Sequence, residues 1–138
     1  MATIQHARKA VVGLLYAYDL GNIDISKFVD NVLEEEKIRN KKRAFSYELF
    51  NGTIDNLDEI DQIIKRNLKD WEYNSIGKVE KAIIRLAVFE MIFENKDSRI
   101  IINEAIELSK ELADERAPKF INALLDQIYK NEGKFYAT

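Results

Sequence analysis

Residues 78–93 read KVEKAIIRLAVFEMIF, and the fold class turns on this stretch. Val79, Ala82, Ile83, Ile84, Leu86, Ala87, Val88, Phe89, Met91, Ile92 and Phe93 leave it almost no polar face. A helix that is apolar all round is a buried helix, so other helices must surround this one. Ser75 is placed to open it. Arg85 and Glu90 stand inside the stretch, and a charge in such surroundings needs a partner or a route to water. Both are expected to anchor this helix to its neighbours rather than to catalyse.

Toward the N-terminus, Ala7, Val11, Leu14, Leu15 and Tyr18 fall on one helical face. Thr3 is positioned as an N-cap, and Gly21 suits a left-handed C-terminal turn. Asp24 can cap a second helix whose stripe is Ile25, Phe28, Val29, Val32 and Leu33, ending in the charged run 34–37. A third helix starts near Asn40 and carries Phe45, Leu49 and Phe50. The fourth opens with Asp55, Asp58, Glu59 and Asp61 and closes with Lys65, Arg66 and Lys69, the order that complements a helix dipole. Toward the C-terminus, Asp97 or Ser98 precedes a helix with Ile102, Ala105, Ile106, Leu108 and Leu112. The β-branched run at 98–102 favours strand locally, but one isolated strand has nothing to pair with. Pro118 suits the first turn of a last helix bearing Phe120, Ile121, Leu124, Leu125 and Ile128. The tail from Asn131 is expected to fray.

Five glycines and one proline in 138 residues are too few for a turn-rich β fold. The expected architecture is all-α: a single domain over residues 1–138, of about seven helices in two packed sub-bundles. A 46% hydrophobic and 33% charged composition is ordinary for a globular chain. Cysteine is absent, which removes disulfides, thiolate zinc sites and a cysteine nucleophile and fits a cytoplasmic location. No apolar run approaches the roughly 20 residues of a membrane span, so no membrane association is expected. Lys and Arg number 21 against 24 Asp and Glu, a net charge of -3, so any nucleic-acid site must be a local basic patch.

No enzyme is expected. The glycines, at 13, 21, 52, 77 and 133, assemble neither a phosphate-cradling loop nor a dinucleotide fingerprint. With His6 the sole histidine, paired Glu-x-x-His di-metal motifs cannot form, although Glu104 and Glu107 share a face. No serine sits in an elbow motif with a base and an orienting acid. Neither a metal nor another cofactor is called for.

Cations cluster in two places. Lys37, Arg39, Lys41, Lys42 and Arg43 stand at the start of a helix, where the dipole disfavours them, which suits either a phosphate contact or a solvated loop. Gln5, His6, Arg8 and Lys9 on the first helix can join Arg116, Lys119 and Phe120 on the last if the two chain ends meet. Cations fix phosphates and an exposed ring stacks on an unpaired base. For Phe120 the competing reading is a core residue, because Leu124 and Ile128 follow on its face.

Four blocks carry a resemblance: Ala7-Arg8-Lys9-Ala10 with Leu15-Tyr16; residues 78–87 with Glu90; Ile102-Asn103-Glu104-Ala105-Ile106-Glu107-Leu108-Ser109-Lys110; and Lys119-Phe120-Ile121-Asn122-Ala123-Leu124-Leu125-Asp126. In this order they resemble the NusB family of bacterial transcription antitermination factors. The resemblance implies a compact protein of seven helices that pairs with NusE, a ribosomal small-subunit protein. It further implies recognition of the boxA element in rRNA leader transcripts and entry into a complex that lets RNA polymerase pass terminators. Under it, Arg8, Lys9, Arg116, Lys119 and Phe120 belong to the RNA surface, with Tyr16 and Glu80 on the NusE side. Two departures stand out. Gln5 and His6 occupy a stretch where many members carry arginines, which implies weaker RNA binding without the partner. The loop at Asp97 to Arg99 lacks the proline often found before the Ile-Asn-Glu block. Two rival readings remain open at this level: an accessory module like the helical domains that precede rRNA cytosine methyltransferases, and a purely structural helical oligomer such as a homodimer.

Overall fold

A computed structural model describes residues 3–136. Among these the chain forms α1 (Ile4–Asp19), a 3-10 turn (Ile23–Phe28), α2 (Val29–Glu35), α3 (Lys41–Asp55), α4 (Leu57–Arg66), α5 (Asp70–Asn74), α6 (Lys78–Val88), a π turn (Phe89–Phe93), α7 (Ser98–Leu112) and α8 (Ala117–Tyr136), with no strand among the described residues. The all-α expectation holds. The helix beyond the expected seven is the five-residue α5, too short to show any periodicity in the sequence.

The apolar stretch is the centre of the molecule. Ile83, Ile84, Leu86 and Val88 are buried in one continuous core, and α6 packs against α1, α3, α4, α7 and α8. Its two internal charges are anchors, as anticipated. Arg85 donates through Nε and Nη2 to Asp61 (2.9 and 2.8 Å) and through Nη1 to Asp19 (3.0 Å), stapling α6 to α4 and α1. Burial pushes the Asp19 carboxyl up, but Arg85 and Lys78 outweigh it and hold the group below the usual carboxylate range.

Glu90, in the π turn and 1% exposed, accepts two hydrogen bonds from Arg8 (both 2.9 Å) and one from Lys96 (2.7 Å). Both cations also lie over the Phe45 ring of α3, 5.3 and 4.8 Å from its centroid. One carboxylate therefore ties together α1, the π turn and the loop before α7, with α3 supplying the aromatic floor. The same turn brings Phe89 hard against α3 at Gly52, where a Cβ would collide with the Phe89 ring. Only glycine permits that approach.

Caps follow the sequence at several ends. Thr3 Oγ1 accepts the His6 N–H (3.0 Å), Asp97 accepts the Arg99 N–H (2.9 Å), and Gly21 takes φ +99°. Three expectations are corrected. Asp24 caps nothing: the segment winds as a 3-10 turn after Asn22, Asp24 pairs with Lys27 (3.6 Å), and Phe28 is exposed. The rest of the expected stripe holds: Val29 and Leu33 are buried in the core, and Ile25 and Val32 pack against it. Ser75 does not open α6 but closes α5, its hydroxyl donating to the Trp71 carbonyl (2.6 Å). The last helix does not fray at Asn131. Buried Glu132 accepts from Arg66 (2.8 Å) and Asn67 (3.2 Å), and Asn131 donates to the Asn67 side chain (2.8 Å), so the far end of α8 is tied to the end of α4. No helix among the described residues is long and apolar enough to cross a membrane.

Candidate nucleic-acid interface

The first-helix group faces α2 and α7. His6 Nε2 lies 3.2 Å from Glu36, Lys9 Nζ lies 2.5 Å from Glu111, and Gln5 donates to the Glu104 carbonyl (3.4 Å). Arg8 departs from the expectation of an exposed phosphate contact. It is 8% exposed and committed to Glu90. Helical geometry explains the burial, because Arg8 shares a face with Val11, Val12 and Leu15, three, four and seven residues on. His6 and Lys9 also line a largely apolar groove of about 540 Å³ that includes Gly13, half-buried Tyr16, Val79 and Leu112.

The last-helix group sits at the turn from α7 into α8. Asp114 accepts the Arg116 N–H (2.9 Å), which holds the Asp114 carboxyl below its ordinary range. The Arg116 side chain is 90% exposed and 3.5 Å from the same carboxylate. Lys119 is exposed and has no ion-pair partner among the described residues. Phe120 is half-buried against the core rather than a fully exposed ring. It lines two cavities: one of about 420 Å³ with Trp71, Glu80 and Arg116, and one of about 450 Å³ with Arg66, Lys69 and Gln127.

The two groups therefore flank the same end of α7. Lys9 reaches Glu111 in its last turn, and Arg116 follows that turn directly. No hydrogen bond or ion pair joins the groups among the described residues. Tyr16 opens on the groove beside Lys9, while Glu80 opens on the cavity beside Arg116.

The run at 37–43 proves partly neutralised. Arg43 pairs with Glu34 (3.0 Å) and Asp30 (2.8 Å), and Arg39 lies 3.6 Å from Glu34, so acids of α2 offset the cations that the start of α3 disfavours. Lys37, Lys41 and Lys42 have no ion-pair partner among the described residues. No group of three or more metal-ligating side chains is assembled among those residues either.

Sequence reasoning missed Trp71. It is the chain's single tryptophan and stands 65% exposed on α5. Its rarity was the one available signal.

A model described as the NusB family matches residues 5–130. A transcription antitermination protein NusB of Sulfurovum sp. is 60% identical over 130 residues, covering 94% of this chain and 100% of the relative. The protein of the same name from Aliarcobacter butzleri is also 60% identical, covering 94% of this chain and 99% of its own. Among solved structures, T. maritima NusB superposes with a TM-score of 0.86 at 29% identity, covering 95% of this chain and 93% of that one. A structure of antitermination factors NusB and NusE in complex with dsRNA superposes with a TM-score of 0.82 at 32% identity, covering 91% and 95%.

Proposed function

The chain belongs to the NusB family, and on that premise we propose that it is a non-catalytic, cytoplasmic antitermination factor that binds boxA-type RNA of rRNA leader transcripts jointly with NusE and helps RNA polymerase pass terminators. The observation that carries the reading is the match along nearly the whole chain to a fold solved with NusE and dsRNA. Lys119 and Arg116 are the readiest phosphate contacts, being exposed cations beside a half-buried ring. Lys9 and His6 extend the surface once they exchange Glu111 and Glu36 for phosphate, and Gln5 lies beside them. Phe120 offers its accessible edge to an unpaired base. Arg8 acts through Glu90, holding α1 in place rather than touching RNA. Tyr16 and Glu80 belong to the NusE side.

Fluorescence anisotropy of a labelled boxA-type RNA, with and without NusE, tests the reading. NusE is expected to tighten binding to boxA over a scrambled RNA, and an equal affinity for the two rejects the proposal. With about three single-strand phosphate contacts, log affinity falls with log salt at a slope of about -2. A flat salt response removes the cations from the interface.

A further inference from the structure

The ring of Trp71 is exposed, yet its backbone is firmly held. Its carbonyl accepts from the Ser75 N–H (3.1 Å) and hydroxyl (2.6 Å), and the Glu72 carboxylate takes the Lys69 N–H (2.8 Å) at the start of α5. A ring of this size contributes most to folding when buried, so a fixed and open one is free to serve an external contact. The cavity it shares with Arg116 and Phe120 meets the second Phe120 cavity, because Phe120 and Glu72 line both. Together they make one groove between α5 and the first turns of α8, with an aromatic ring on each element.

Three carboxylates line the Trp71 end of this groove, and two of them are engaged by helix ends. Glu72 takes the Lys69 N–H, and Asp114 takes the Arg116 N–H. Glu80 folds over the start of α6, so close that a Cβ on Gly77 would stand 2.5 Å from its Oε2 atom. The cations are less committed. Lys69 lines the groove and exposed Lys119 precedes Phe120 on α8 outside its lining; neither has an ion-pair partner among the described residues, and Arg116 is almost wholly in solvent. Two aromatic rings with Arg116 and Lys69 beside them suit an aromatic occupant that carries phosphate.

We propose that Trp71 is a second stacking platform: an unpaired base of the bound RNA lies on its ring, in the groove shared with Phe120, with flanking phosphates on Lys69 and Lys119. The proposal rests on the RNA-binding reading above and extends it to α5. Stacking is tolerant of base identity, since every base presents a π face. Trp71 therefore adds affinity without adding sequence preference.

Because no other tryptophan is present, the emission of the intact chain reports directly on this ring. The experiment titrates an unlabelled single-stranded boxA-type RNA, NusE, and both together into the full chain. W71F serves as the emission blank, and anisotropy of labelled RNA is followed in parallel. Emission is expected to fall in step with RNA binding. W71A is expected to weaken boxA and scrambled RNA alike by about tenfold, and W71F by much less. The melting temperature should be unchanged in both variants, the ring lying outside the core. RNA that binds by anisotropy without altering emission, with W71A binding as tightly as the parent, overturns the proposal. So does emission that changes with NusE alone and no further with RNA, which assigns the ring to the protein contact. If no RNA binds the parent chain with NusE present, the functional reading itself falls, and this inference with it.

Discussion

The cations at the start of the first helix and those around the start of the last differ in what they already hold. Arg8 is locked to Glu90 in the interior, Lys9 lies against Glu111 and His6 against Glu36. Lys119 and Lys69 hold no acid among the described residues, and Arg116 reaches only the carboxylate of its own turn. A phosphate arriving at the first group must displace an existing partner, whereas at the second it meets an open charge. The cations of the first helix are thus largely spent inside the fold, while those at the turn into α8 are open, although both sets of residues look alike as basic positions in a sequence.

The largest effect expected from this contrast is at Arg8. Arg8→Ala strands the buried Glu90 with Lys96 alone and should cost about 3 to 5 kcal/mol in denaturant unfolding. A midpoint equal to the parent's would return Arg8 to the RNA surface and erase the contrast. The other end of the comparison has its own anchor, at Glu132. Arg66 holds this carboxyl below its usual range against the opposing pull of burial. A carboxyl with a depressed folded value stabilises above the ordinary carboxylate range and loses that contribution as pH falls through it. Glu132→Gln should therefore lower stability by about 1 kcal/mol at neutral pH, a figure kept small because Arg66 is half in solvent. The gap from the parent should close in acid, and a gap independent of pH would show that the ion pair contributes nothing.

Smaller effects separate the two surfaces in binding. Lys119→Ala should weaken RNA binding about threefold, less than the 1.4 kcal/mol of a tenfold change, and lower the salt slope by about 0.7 while leaving the melting curve unchanged. Lys9→Ala should do less still, since the parent must first give up a surface pair worth up to about 1 kcal/mol. Equal losses at the two lysines, measured by anisotropy at two salt concentrations, would mean that the Glu111 contact does not compete with RNA.

Much of the fold was legible because it depends on local spacing. The apolar run at 78–93, the Thr3 cap and the Gly21 turn each follow from residues within one or two turns of each other. What escaped depends on distance along the chain. The sequence showed that Glu90 needed a partner and that Arg8 was a cation near the N-terminus, but their pairing spans 82 positions and exists only once α1 lies across the π turn. The burial of Arg8 was in principle visible in its spacing to Val11, Val12 and Leu15. Its polar neighbours His6 and Lys9 mask that signal. Of the candidate site, the turn at 114–120 was legible as a basic patch, while the α5 wall was not. Five residues make little more than one turn, too few for a periodicity that would show which of Trp71 and Tyr73 faces solvent.

The ties between Glu132, Arg66 and Asn67 reach well beyond their own neighbourhood. Phe120 and Glu132 are twelve positions apart on one unbroken rod, about 18 Å at the usual rise per residue. Moored at its far end, that rod cannot swing, so the aromatic edge at its near end is oriented before any transcript arrives. The entropy of aligning it is settled when the protein folds, not when RNA binds. On the proposed role of Phe120, shortening α8 past Asn131 would thus blunt recognition at a point the deletion never touches.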